Sequence, residues 1–413
     1  MNRQAAQKHL LPLLALLLIF FVNNSFARAP YTPPVQTEQS FQLWLTDFKK
    51  IARQKGIRES TLQSAFKNVH LNHKILTSDR KQPESFSTFW QYFKRATSEW
   101  RIQKGQEMYQ KHLPQLREVT KKYGVPERIL VAFWGLETNY GSYTGYHPII
   151  ESLSTLSYDQ RRSQFFTKEL LSALKIIDKN HVKANQMKGS WAGAMGQCQF
   201  MPSNYLRYAI DGDNDGKKDL WNSLPDIFNS MGNFLNKIGW QRGEHWGREV
   251  ALPKGFDLAL ADSSTKRTLQ EWQDLGIKLA DGRKLPSINE TMSAKLVLPY
   301  DYTGPAFLVY QNFRVIKRWN NSDKYALAVG HLADRIVGLG PLSKSQPKHD
   351  RSMTRKQVTE LQQHLLKQGY KIGSADGIAG SKTRKALRDF QSKHQLPSDG
   401  YPSYRMLKIL RNN

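Results

Sequence analysis

"ILVAFWGLETNYG" (129–141) is the stretch on which the reading of this chain turns. Seven of the eight residues from Ile129 to Leu136 are apolar, the eighth is Gly135, and Glu137 follows. Pro126, just upstream, fits the first residue of a helix, where a missing N–H costs nothing. A helix apolar on every side is a buried one. A carboxyl at the end of such a run must find a partner or hold its proton, because desolvation penalises the anion and raises its pKa. Two readings stay open on these residues alone. Glu137 either turns outward to bond the following backbone, or serves as a general acid.

The pattern on both sides is mainly helical. From about Phe41 to Gly124 apolar and aromatic residues recur at three and four with charges between them, and the same period runs over 165–177, 227–238 and 323–338. Residues 250–309 are Gly/Pro-punctuated and alternating, which predicts a small β region. "LGPLSKSQPKHDRSMT" (339–354) is polar and aperiodic, and reads as a linker. Beyond it Val358, Leu361, Leu365 and Leu366 form one helical face. "ADGIAGSKTRKAL" and "SDGYPSYRMLKIL" then each place Asp-Gly ahead of a helical run, a weak internal repeat. The predicted divisions are a leader at 1–27, a main domain at 36–340 with β structure near 250–310, a linker at 341–353 and an all-α module at 354–411.

The leader has a secretory layout. Arg3 and Lys8 precede an apolar run from Leu10 to Val22, and Ser25-Phe26-Ala27 offers a small-x-small cleavage site. An uncleaved anchor is the other reading of that run. With no cysteine at the cleavage site, a lipid anchor there is excluded, and a soluble exported protein is expected. Cys198 is the single cysteine, so no intramolecular disulfide can form and the fold must rest on its core. The net charge of +26 would suggest nucleic acid in a cytoplasmic protein. Behind an export signal, acidic wall material fits it better.

Two further segments carry chemistry. "KGSWAGAMGQCQFMPSNY" (188–205) combines small residues with neutral hydrogen-bonding groups at Ser190, Gln197, Gln199, Ser203 and Asn204. Close backbone approach with neutral polar groups suits a sugar; a tight helix contact would also use the small residues. "DGDNDGKKDLWNSLPD" (211–226) puts Asp211, Asp213 and Asp215 at positions one, three and five of a calcium-type loop. Gly216 stands at the turn, Lys217 offers a carbonyl and Asp219 occupies position nine. Position twelve is Asn222 in place of Glu, and Asp226 lies where a longer loop would close. A bound hard cation such as Ca2+, in a structural role, is expected over a bare acidic turn. No Ser-His-Asp order, His-x-x-x-His helix or phosphate-binding glycine loop is present.

Taken together these segments resemble the lytic murein transglycosylase B family joined to a peptidoglycan-binding module. The motifs run in order through "FQLWLTDFKKIARQKGIRESTLQSAF", "YGVPERILVAFWGLETNYG", "YDQRRSQFFTKEL", the 188–205 and 211–226 segments, and "VIKRWNNSDKYALAVGHLADRI". "DGIAGSKTRKALRDFQ" is similar to a three-helix module of wall enzymes. The resemblance implies a mainly α, goose-lysozyme-like catalytic core with a helical N-terminal region and a small β subdomain.

It further implies that Glu137 is the single acid/base. Ser190 and Gln199 hold the sugar, Asn320 lines the reacting subsite, Tyr325 is a nearby aromatic, and Arg161 and Arg162 meet acidic groups of the substrate. Trp319 stands where Tyr is common in the family, and Phe234 replaces another. The implied reaction splits the bond between N-acetylmuramic acid and N-acetylglucosamine without water, with the N-acetyl group assisting a lone Glu. A hydrolytic muramidase and a non-catalytic wall-binding protein are the alternatives. Expected partners are peptidoglycan strands and, beyond them, wall-synthesis enzymes. The expected setting is the periplasm, as a monomer, with no catalytic cofactor, no nucleic acid and no integral membrane segment.

Overall fold

The predicted apolar helix lies at the centre of the molecule, where Ile129 to Gly135 are all buried. A computed structural model describes residues 36–81, 87–261, 266–286 and 292–412; the predicted leader lies outside them. Among the described residues no helix is long and apolar enough to cross a membrane.

Among the described residues six helices precede the central one: α1 (Glu38–Gln54), α2 (Glu59–Ala65), α3 (His73–Lys81), α4 (Phe89–Ala96), α5 (Glu99–Lys111) and α6 (Leu113–Tyr123). Their starts follow local chemistry. Thr88 and Gln91 form a reciprocal capping box on α4, and Ser98 caps α5. Gly124, left-handed at φ 77°, ends α6. The central helix α7 spans Glu127–Thr138. Pro126 is its N-cap, with extended backbone, one residue earlier in the helix frame than its sequence suggested.

A two-residue strand β1 (His147–Pro148) leads into α8 (Ile149–Tyr158) and α9 (Ser163–Asp178). Strand β2 (Lys188–Gly189) pairs antiparallel with β1, setting His147 opposite Gly189. Then come α10 (Pro202–Tyr208) and α11 (Leu224–Lys237).

The predicted β region is a five-stranded antiparallel sheet in the order β4-β6-β7-β3-β5. Its strands are β3 (Gly247–Ala251), β4 (Arg267–Thr268), β5 (Lys278–Leu279), β6 (Ser293–Val297) and β7 (Ala306–Val309), with α12 (Leu269–Asp274) between β4 and β5. It has its own apolar core around Trp272, Leu296 and Leu308. The chain then returns to the main core through α13 (Gln311–Trp319) and α14 (Asp323–Ile336).

The C-terminal helices α15 (Arg355–Lys367), α16 (Ser381–Lys393) and α17 (Tyr404–Arg411) pack around Leu361, Leu387, Phe390 and Leu407. Leu366, predicted on the buried face, is 38% exposed; neighbouring residues project about 100° apart on a helix, and Leu365 takes the core side. The internal repeat is real in three dimensions. Gln362 donates to Asp376 Oδ1 and accepts from the Gly377 amide, and Gln391 treats Asp399 and Gly400 in the same way. Asp399 also accepts the Tyr302 amide (3.0 Å), which fastens the module to the β region. The connecting stretch is irregular but held at two points. Ser343 bonds both oxygens of Glu249, and Asp350 accepts from the Thr88 hydroxyl.

Candidate active site

Glu137 is half-buried in the last turn of α7. Asn139, Tyr140 and Gly141 follow in left-handed backbone, at φ 49°, 60° and 80°, so the chain reverses immediately behind the carboxyl. Arg101 holds that reversal in place, donating to Gly135 O (3.2 Å) and Asn139 Oδ1 (2.7 Å). Gly135 is glycine for a packing reason. A Cβ there would meet the Tyr140 ring within 2.6 Å, and Tyr140 sits there to donate to Arg101 O.

Tyr325 reaches Glu137 from the first turn of α14 and donates its hydroxyl to Oε1. Burial, and then the charge of Glu137, push the Tyr325 phenol well above its ordinary range, so it stays a donor. Ser322 caps α14 and holds the Tyr325 amide, which aims the ring. Asn320 lies exposed at the α13–α14 corner, where its carbonyl accepts the Ser322 amide (2.7 Å). Trp319 packs between Phe133 (4.4 Å) and Phe234 (5.0 Å, stacked). The two residues that depart from the family pattern therefore stack on one another.

The 188–205 segment folds into a tight turn beside β1. Ser190 Oγ accepts the Ala194 amide (3.0 Å), and Gln199, at φ 49°, donates to Thr144 O and Gly196 O. Gln197, one of five neutral groups in its motif with nothing to single it out, proves to be the structural tie. Its Oε1 accepts from Trp134 Nε1 (2.7 Å) on α7, and its Nε2 donates to Trp221 O (2.7 Å). Cys198 is fully buried. Burial pushes its thiol up, so it packs and does not act as a nucleophile.

Arg161 and Arg162 are drawn together on a single carboxylate, that of Asp79 on α3, which is 2% exposed. Their outer faces stay in solvent, at 46% and 39% exposure.

The acidic loop brings together Asp211, Asp213 and Asp226, with carboxylate oxygens within 4.8 Å of one another. Asp226 is buried and spans the loop, accepting the Gly212 amide on one oxygen and the Asp219 amide on the other. Burial and the two neighbouring carboxylates push it up despite those bonds. An all-oxygen set of three carboxylates fits a hard cation. Asp215 accepts the Lys217 amide (2.8 Å), and Asp219 caps Trp221 and Asn222.

Comparison with known proteins agrees with this architecture. Residues 40–334 match the transglycosylase SLT domain, and residues 354–410 match a peptidoglycan binding domain. Over 274 residues the chain is 30% identical to membrane-bound lytic murein transglycosylase B of Escherichia coli (strain K12), covering 65% of this chain and 73% of that one. The crystal structure of SltB3 from Pseudomonas aeruginosa in complex with NAG-anhNAM-pentapeptide is similar at 43% identity and a TM-score of 0.88. The match covers 90% of this chain and all of that one. Escherichia coli Slt35 in complex with calcium is similar at 28% identity and a TM-score of 0.60, over 73% of this chain and 92% of that one. The lysozyme-like helical fold, the small sheet and the appended helical module together place this chain in the transglycosylase SLT family, as a peptidoglycan lytic transglycosylase.

Proposed function

We propose that Glu137 cleaves the β-1,4 bond between N-acetylmuramic acid and N-acetylglucosamine without consuming water. The observation that carries this is the Glu137–Tyr325 hydrogen bond beside the Ser190–Gln199 turn. Protonated Glu137 donates to the glycosidic oxygen as the C1–O bond breaks, and the 2-acetamido oxygen bonds to C1 from the other face. Glu137, now a carboxylate, takes the proton of the muramyl 6-hydroxyl. That oxygen attacks C1, displaces the acetamido oxygen and closes the 1,6-anhydro ring. Glu137 ends with the proton it began with, so no second carboxylate and no water are needed, unlike ordinary glycosidases.

The surroundings serve both halves of the cycle. Partial burial and the negative end of α7 favour the acid form, while the Tyr325 hydroxyl stabilises the anion formed midway. Ser190 and Gln199 hold the sugar, with Ser190 near the acetamido group, and Asn320 lines the reacting subsite. Arg161 and Arg162 offer their outer N–H groups to acidic parts of the substrate. The anhydro sugar named in the SltB3 complex supports this reading over hydrolysis.

Mass spectrometry of digested murein tests it. Anhydro ends are expected, and products one water heavier with reducing ends would establish a muramidase. Glu137→Gln is expected to lower turnover by about 10³-fold or more; unchanged activity would remove Glu137 from the mechanism.

The acidic loop is assigned a structural Ca2+ held by Asp211, Asp213 and Asp226, with Asp215 and the Lys217 carbonyl as further candidate ligands. Such an ion would cross-link the loop and supply no step of the reaction. The chain is placed in the periplasm, as a monomer acting on peptidoglycan strands, and cell fractionation checks the compartment.

A further inference from the structure

Just behind Glu137 the chain places three left-handed residues in a row, and the middle one is Tyr140, at φ 60°. Among the described residues every other non-glycine position at positive φ is an Asn or a Gln. A bulky side chain disfavours that backbone on its own account. Something outside the turn must hold it there.

Two helices supply the hold. A Cβ on Gly135 of α7 would lie 2.5 Å from Tyr140 Cζ, and one on Gly105 of α5 would lie 2.5 Å from the Tyr140 hydroxyl oxygen. Each glycine clears space for the same ring, and Tyr140 is 7% exposed in the socket between them. The ring stands edge-on to Trp134 (5.7 Å), and its hydroxyl donates to Arg101 O (2.6 Å). Burial pushes the phenol up, so it stays a donor. The Arg101 side chain completes the grip. It donates to Gly135 O and Asn139 Oδ1, on either side of Glu137, and to Arg95 O (2.6 Å) and Ala96 O (2.9 Å) at the end of α4. The last turn of α7 is thus held at its backbone from α4 and α5, while Tyr325 meets its carboxyl from α14.

We propose that Tyr140 is a positioning residue for the reaction: seated in the Gly105–Gly135 socket and tied to Arg101, it fixes the direction in which Glu137 points. This deepens the transglycosylase reading and rests on Glu137 as its acid/base. Helix ends fray, and an acid out of hydrogen-bond reach transfers its proton poorly. Glycine at position 140 would take the left-handed backbone without strain and leave the socket empty. The chain instead carries the residue that the backbone disfavours and the socket requires. A fixed carboxyl needs that arrangement, and a simple turn does not.

Tyr140→Gly and Tyr140→Phe separate the socket from the turn, with kcat, KM and the pH–rate profile measured on murein strands below the Tm of each full-length variant. Tyr140→Gly lowers kcat about 30- to 100-fold. KM stays within about twofold of the parent, because Ser190 and Gln199 are untouched. The limb that reports loss of the acid moves to higher pH, in the direction expected of Tyr325→Phe, since a carboxyl without its aim loses that donor too. Tyr325 and Cys198 sense the charge of Glu137 and are held protonated by burial, and Arg101 stays charged throughout, so the limb reports Glu137 itself. Tyr140→Phe refills the socket and keeps kcat within about fivefold of the parent, the worth of one neutral hydrogen bond. Gly105→Ala strikes the hydroxyl from α5 and lowers kcat; Tyr140→Phe added to it recovers part of the loss. That pair decides the matter should Tyr140→Gly not fold. Parent-like kcat in Tyr140→Gly or in Gly105→Ala overturns the proposal. A fall in kcat with the limb unmoved overturns it as well, marking only a loss of folded enzyme, and so does a loss in Tyr140→Phe as large as in Tyr140→Gly. Activity that survives Glu137→Gln refutes the underlying acid/base reading, a result separable from all of these.

Discussion

Tyr325 donates a hydrogen bond to Glu137 across 188 residues of sequence, joining the first turn of α14 to the last turn of α7. The donor is buried, at 5% exposure, and its hydroxyl is directed at the carboxyl. Tyr325→Phe keeps the ring packed against Phe133 and removes only this bond. Turnover is expected to fall about 10- to 100-fold, a loss typical of one charge-assisted hydrogen bond at an acid/base. The limb of the pH–rate profile that reports loss of the acid is expected to move to higher pH, because the anion has lost the Tyr325 hydroxyl as a donor. A profile that kept its shape while losing height would leave Tyr325 a packing residue.

Gln197 bridges Trp134 on the catalytic helix to the backbone at Trp221. Gln197→Leu leaves a buried indole N–H and a carbonyl without partners. Destabilisation on the order of 2–3 kcal/mol is expected, read as a lowered Tm together with reduced activity at a temperature where the fold persists. A variant as stable as the parent would show that water replaces the amide.

Calcium is expected to raise the Tm and a chelator to lower it. Binding to the folded form alone adds about 2.7 kcal/mol at a hundredfold excess over Kd. Asp213→Asn is the informative variant, because Asp213 is exposed while Asp226 also holds two backbone amides. The expected result is a Tm that no longer responds to calcium but matches the chelated parent. An unaltered response would place the ion elsewhere.

His331 sets an acid limit on stability. It is buried on α14 against Phe93 (5.0 Å), and burial lowers it from 6.5 to about 4. Between those values the unfolded chain binds a proton that the folded chain does not, so stability falls as pH drops from 6.5 toward 4. The component amounts to roughly 3 kcal/mol at the acid end. His331→Gln is expected to flatten that part of the Tm–pH curve, measured with the parent alongside.

What the sequence discloses and what it hides divide along the range of the interaction. The helix at 227–238 and the one at 323–338 are written in local periodicity, and their caps at Ser223 and Ser322 lie beside them. The apolar run before Glu137 is legible for the same reason. The partner of Glu137 is not, because Tyr325 arrives only when the α13–α14 corner packs against α7. Gly135 looks like a weakness in a helix until Tyr140 is seen occupying the space of its missing side chain. Arg161 and Arg162 read as free cations because Asp79 lies about eighty residues earlier. In the acidic loop the spacing identifies Asp211 and Asp213. Asp226 is legible as the closing residue of a longer loop, and the turn of the chain brings it, with Asp211 and Asp213, into the close trio.

The two fastenings of the segment before the module alter its mechanics. Measured from Leu339 to Thr354 it would be a leash some fifty ångströms long when extended, at about 3.4 Å per residue. With Asp350 held on Thr88 and Asp399 on the Tyr302 amide, the module is fastened on both sides of its first helices and the free lead is at most four residues. A tail on so short a lead cannot search the wall while the catalytic domain waits. It meets the wall at a fixed offset from Glu137, so the distance from anchorage to cut is set by the fold, in the manner of a ruler.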